Sequence, residues 1–190
     1  MYYIEKNFIT EDEANNIHIE SVREEISERI FQYISKKFEV DIEKIKHIGD
    51  DGHRNGYIKV ENLPKGHDWH FDGCKPDDCG EEGTYGSIIS PQSAIDAKLN
   101  NKLIDNHMAW CRYGFSILIS PPSNFVGGEF CYMDKNYNIS TLTAEDHYLS
   151  LVVHTGHRTN DPELHKVNPH VSVNGTIGRE VILGFLEVVE

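Results

Sequence analysis

Over the first 48 residues the apolar positions recur with a helical period rather than a strand period. Thr10-Glu11-Asp12-Glu13 has the form of a capping box, a hydroxyl followed three residues later by a carboxylate that reaches back to its backbone N–H. Ser21-Val22-Arg23-Glu24 repeats that form and predicts the start of a second, longer helix. Within it Val22, Ile26, Ile30, Ile34 and Phe38 fall four residues apart, which lines them along one face. Such a face has to be buried, and a sheet is the expected partner. Residues 1–48 therefore read as a helical cover.

From Arg54 onward the texture changes to short runs with strand character: Tyr57–Asn62, Asp68–Asp72, Phe115–Ser120, Glu129–Asp134, Tyr148–His154 and Glu180–Val189. Turn chemistry separates them, in Asn62-Leu63-Pro64-Lys65-Gly66, Ser120-Pro121-Pro122-Ser123-Asn124 and Asn174-Gly175. Between Pro91 and Asn106, Ile95, Leu99 and Leu103 predict a short helix within an insertion over 74–108. Helices followed by many short strands predict a mainly β, α+β chain. Its core over 54–190 would be closed or double-layered, under the helical cover. With 190 residues, 38% of them hydrophobic, and no linker or repeat, a single domain over 1–190 is expected.

The net charge of −13 disfavours a nucleic-acid partner, since the eighteen Lys and Arg are scattered rather than gathered into a basic patch. Neither a secretory signal nor an apolar run long enough to span a bilayer is visible, so a cytoplasmic protein without a membrane partner is expected. The four cysteines then read as reduced thiols. Cys74 and Cys79, with His107 and Cys111, also offer a Cys3His set for structural zinc; isolated thiols are the competing reading.

The sharpest chemical signal is His70-Phe71-Asp72. Side chains two apart on a strand share a face, so His70 and Asp72 can reach one ion, whereas His67 has the wrong parity. A third ligand has to come from elsewhere: His154, His157, His165 and His170 are candidates, and His165 is the best placed. Two histidines and one carboxylate form the facial triad that binds Fe(II) and leaves three positions open.

Further segments follow in order: Arg112 leading into Ser116-Ile117-Leu118-Ile119-Ser120-Pro121, then Phe125-Val126-Gly127-Gly128-Glu129-Phe130 and Leu149-Ser150-Leu151-Val152-Val153. His165-Lys166-Val167-Asn168-Pro169 and Gly178-Arg179-Glu180-Val181-Ile182-Leu183-Gly184-Phe185 complete the series. Across residues 54–188 this order resembles the Fe(II)/2-oxoglutarate-dependent dioxygenases, in particular their prolyl-4-hydroxylase-like branch. The resemblance implies a double-stranded β-helix (a jelly-roll, cupin-like core) with His70, Asp72 and His165 as iron ligands. It also implies Arg179 as the partner of the distal carboxylate of 2-oxoglutarate, for which a guanidinium fork is chemically suited. The chain departs from that family in three ways. The interval from His165 to Arg179 is long, an extra loop over Thr155–Leu164 separates Leu149–Val153 from His165, and the strand Ser116–Ser120 lacks the tyrosine many relatives use on the co-substrate. Tyr113 and Tyr57 are the candidate substitutes.

The implied reaction couples oxidation of 2-oxoglutarate by O₂, giving succinate and CO₂, to hydroxylation of a peptidyl or small-molecule substrate. The rival readings are a non-catalytic β-helix binding module and a metal-dependent hydrolase. Loops over Cys74–Asn106 and Thr155–Leu164 would select the substrate. Acidic residues there (Asp77, Asp78, Glu81, Glu82) fit a basic or polar one, although a solvated loop is the simpler account.

Overall fold

A computed structural model describes residues 2–48, 58–70, 72, 111–134, 136, 138–156, 159 and 163–189. The expected helix between Pro91 and Asn106 lies outside the described residues, as do Tyr57, Cys74, Cys79 and His107.

Helix α1 (Glu11–Asn15) carries the expected capping box: Thr10 Oγ1 accepts from the Glu13 N–H, and Glu13 reaches back to the Thr10 N–H. Helix α2 (Glu20–Phe38) starts one residue before the predicted Ser21. The Ile19 carbonyl already accepts the Arg23 N–H, which makes Ile19 the N-cap and leaves Ser21 inside the helix. The four-residue stripe behaves as expected, with Ile26, Ile30 and Ile34 fully buried and Val22 and Phe38 packed at its ends. Helix α2 ends at Glu39, in the left-handed conformation, with basic Lys36 and Lys37 in its last turn.

The first 48 residues are not helical throughout. Strand β1 (Tyr3–Glu5) and strand β2 (Ile45–Ile48) belong to a six-stranded sheet. Strands β3 (Lys59–Glu61), β5 (Tyr113–Leu118), β9 (Leu151–Thr155) and β12 (Val181–Val188) complete it, in the order β1-β9-β5-β12-β2 with β3 also on β12. A four-stranded sheet runs β4-β10-β7-β8, from β4 (His67–His70), β10 (Leu164–Val167), β7 (Phe130–Met133) and β8 (Ile139–Leu142). Strands β6 (Phe125–Gly127) and β11 (His170–Ser172) form a separate ribbon, and α3 (Ala144–His147) precedes β9. Among the described residues every pairing between these strands is antiparallel. Among the described residues no helix is long and apolar enough to cross a membrane.

The two faces of the larger sheet have different partners, and strand alternation sets which residue goes where. Tyr113, Phe115 and Ile117 of β5, with Ile182 and Leu186 of β12, join the isoleucines of α2 in the main core. On the other face Val152 packs with Phe130, Tyr132 and Leu142 of the smaller sheet. Gly114 and Ser116 share that inner face, towards the smaller sheet. The candidate site lies between the two sheets.

Candidate metal centre

Strands β4 and β10 are antiparallel neighbours, and their register sets His165 directly opposite His70. His165 is thus a strand residue, on β10. Asp72 lies two positions beyond the end of β4, in a turn, so the pair does not share a continuous strand. The register also slips: His165 faces His70 while Val167 faces His67, three residues away. This irregularity re-phases the strand locally. It explains why His67, expected on the opposite face, lines the same cavity as His70 and Asp72.

His70, Asp72 and His165 are all buried, and one ligand atom from each lies within 4.8 Å of the others. The His165 ring is well aimed. Its Nδ1–H donates to the Glu163 carbonyl at 3.1 Å, which leaves Nε2 as the free lone pair, 3.8 Å from Asp72 Oδ1. Phe130 stacks on the same ring at 5.1 Å and 17°. Burial, together with the neighbouring His154 and His70, pushes the His165 imidazole well below its ordinary range, against the pull of Asp72. Burial works the other way on Asp72, but the charge and hydrogen bond of His154, with His165 and His70, hold its carboxyl well below the usual carboxylate range. A neutral imidazole and an ionised carboxylate are the protonation states a metal requires. The residues present therefore fit a divalent cation of nitrogen–oxygen preference.

The cavity beside the triad has a volume of about 200 Å³. The smaller sheet contributes His67, Phe130 and Val167 to its wall; the larger contributes Ser116, Val181, Leu183 and Phe185. Arg179, just before β12, also lines it and is only 2% exposed. Burial lowers the guanidinium to about 10, with Glu129 opposing, so it stays charged at neutral pH. Glu129 is held by Asn168, whose Nδ2 donates to it at 3.0 Å, and no ion pair joins Arg179 to a carboxylate among the described residues. Gly128 explains how the arginine fits. Its φ is +76°, and a methyl group there would overlap Arg179 Cδ. A buried, unpaired guanidinium is costly, and an anionic ligand would offset that cost.

Tyr113, expected as a co-substrate contact, does not line this cavity. Its ring points to the other face of β5 and stacks on Phe38 at 4.4 Å, so the helical core claims it. Ser116 occupies the cavity wall instead, with its Oγ hydrogen-bonded to His147 Nε2 at 3.1 Å. Burial, then the charge of Arg179, lowers His147 to about 3, so the residue behind Ser116 is neutral. The Cys3His zinc reading gains no support. Cys111 is a buried free thiol packed with Ile48 and Phe185, and burial pushes it well up from its ordinary range.

Of the other histidine candidates, His157 lies outside the described residues. His170 donates to Asn62 Oδ1 at 3.2 Å beyond the Gly127–Gly128 turn. His154 is next to the triad but is not a member of the ligand set; its Nε2 lies 2.5 Å from Asp72 Oδ2. Ser116 and His147 were not singled out from the sequence. Alternation along β5 could have flagged Ser116 as an inward polar residue, but nothing local places His147 behind it.

Comparison with known proteins finds no matching family model and no matching curated relative. Among solved structures, the crystal structure of a Pseudomonas putida prolyl-4-hydroxylase superposes with a TM-score of 0.54 at 10% identity. The alignment covers 98% of this chain and 84% of that one. The likeness is one of fold, and it extends over nearly the whole chain.

Proposed function

We propose that this protein is an Fe(II)- and 2-oxoglutarate-dependent oxygenase that hydroxylates a peptidyl or small-molecule substrate. The observation that carries this reading is the placement, around one buried cavity, of the His70–Asp72–His165 set with the guanidinium of Arg179, which has no carboxylate ion-pair partner among the described residues. Two imidazoles and one carboxylate suit Fe(II) and leave three coordination positions for co-substrate and O₂. When bound, the iron with 2-oxoglutarate supplies the oxidising chemistry, releasing succinate and CO₂.

The chain's own residues would do the rest. His70, Asp72 and His165 hold the metal at the smaller sheet. Arg179 offers a fixed, bidentate countercharge to the distal carboxylate of 2-oxoglutarate. Ser116, backed by neutral His147, lines the cavity from the strand on which many members of the resembled family carry a tyrosine, and its hydroxyl is available to the same carboxylate. Phe130, Val181, Leu183 and Phe185 keep the cavity apolar, which strengthens these charge contacts. A volume of about 200 Å³ lies below the roughly 300–1,000 Å³ of drug-sized pockets and suits a small dicarboxylate. A hydrolase using the same ligands would have no role for Arg179. The structural likeness to a prolyl-4-hydroxylase supports the oxygenase reading, and with it a double-stranded β-helix for the two facing sheets.

Anaerobic addition of Fe(II) and 2-oxoglutarate tests this. The wild type is expected to develop a visible metal-to-ligand charge-transfer band, and to release succinate once O₂ is admitted. His70→Ala and Asp72→Ala should lose both; 2-oxoglutarate turnover that persists in either would reject the assignment.

A further inference from the structure

We propose that His154 is the positioning residue of the metal centre, holding one oxygen of Asp72 so that only the other is offered to the metal. The inference rests on the metal-site reading above and adds a residue outside its ligand set.

The two carboxylate oxygens of Asp72 have different partners. Oδ1 faces His165 Nε2 at 3.8 Å, on the side of the ligand set, while Oδ2 is 2.5 Å from His154 Nε2. A carboxylate with both oxygens free can bind an ion through either or both. Capture of Oδ2 by an N–H leaves a single donor atom and fixes its direction. It also keeps Asp72 from occupying a second coordination position, one that an oxygenase needs open.

Three features of the chain serve this contact. His154 is 4% exposed on β9 of the larger sheet, so it reaches Asp72 from the sheet opposite the metal ligands. Among the described residues its Nδ1 has no hydrogen-bond partner, so the ring is held through Nε2 and by packing. The His165 ring lies 4.2 Å from it and Phe130 lies 5.9 Å away. Finally, β5 places Gly114 directly across from His154. A methyl group on Gly114 would overlap both Asp72 Oδ2 and His154 Nε2, so the only side chain that leaves this bond undisturbed is a hydrogen.

The test uses Co(II), a spectroscopically visible substitute for Fe(II), added to the metal-free full-length protein. Affinity is measured by competition with a chelator, and coordination by the visible Co(II) absorption, with thermal unfolding of the metal-free protein as the folding control. His154→Leu should weaken Co(II) binding about 10–100-fold and change the Co(II) spectrum, as loss of an outer partner of a ligand does. His154→Gln, whose amide N–H can reach the same oxygen, should bind within about threefold of the wild type with a wild-type spectrum. Gly114→Ala keeps His154 but displaces the pair, and should reproduce the His154→Leu spectrum. Wild-type affinity and an unchanged spectrum in His154→Leu would overturn the proposal while leaving the metal site standing. Absence of His70-dependent Co(II) binding in the wild type would overturn both.

Discussion

His147 is a buried, neutral histidine, and that has a consequence for acid stability. Burial first, and the charge of Arg179 second, lower it to about 3. The unfolded chain takes up this proton near pH 6.5 and the folded chain does not, so the unfolded state binds more protons throughout that interval. Stability therefore falls as pH drops from about 6.5 towards 3. At 1.36 kcal/mol per unit, one such histidine costs about 2 kcal/mol between pH 6.5 and 5. His147→Gln keeps a hydrogen-bonding side chain behind Ser116 but does not titrate. Denaturant unfolding of the metal-free proteins at pH 7 and pH 5 should show an acid loss about 2 kcal/mol smaller in the variant; equal losses would remove His147 as the cause. Residues of this kind were the hardest to see beforehand. His70, Asp72 and His165 announce themselves by spacing and by an ordered series of neighbouring segments. His147 and His154 act through partners far away in sequence, Ser116 and Asp72, and no local pattern links them.

At the scale of elements, the α2 stripe was the most legible feature because one face of a long helix repeats the same demand several times. Ile26, Ile30 and Ile34 are each fully buried against the larger sheet. Ile30→Ala removes side-chain volume from the middle of that contact, and should cost about 2–5 kcal/mol in urea unfolding. A cost below about 1 kcal/mol would mean that the helix is not the lid of the main core. The metal centre lies on the other face of the sheet, so Co(II) affinity in the folded variant should be unchanged. Short strands were less legible. Strands β1 and β2 add only a few residues each to the edges of a sheet, and their pattern was hidden beside strong helix signals. The parity argument for His67 failed for a different reason. It assumed an uninterrupted strand, and the register slip between β4 and β10 breaks that assumption within four residues. Tyr113 shows the reverse: alternation along β5, once its boundaries are known, assigns it to the helical core without ambiguity.

For the molecule as a whole, the division of labour between the two sheets makes a prediction about ligand-induced stability. His70 and His165 belong to the smaller sheet, with Asp72 just beyond β4, whereas Ser116 belongs to the larger and Arg179 lies just before its strand β12. A metal alone would engage one sheet directly, and 2-oxoglutarate bound to it would join that sheet to the other. Each ligand that binds only the folded state adds RT ln(1 + [L]/Kd), about 2.7 kcal/mol at a hundredfold excess over Kd. For a chain of this length that corresponds to a rise of about 5–10 °C in Tm. Anaerobic thermal unfolding with Mn(II) should therefore show two separable increments, one for metal and a second for 2-oxoglutarate. Arg179→Leu should keep the first and lose most of the second, because the metal ligands are intact while the countercharge is gone. Arg179→Lys should recover part of it, since the charge returns without the bidentate fork. Loss of the metal increment in Arg179→Leu would show the two sites to be inseparable. A full 2-oxoglutarate increment would mean that the dicarboxylate, if it binds here, is held by something other than Arg179.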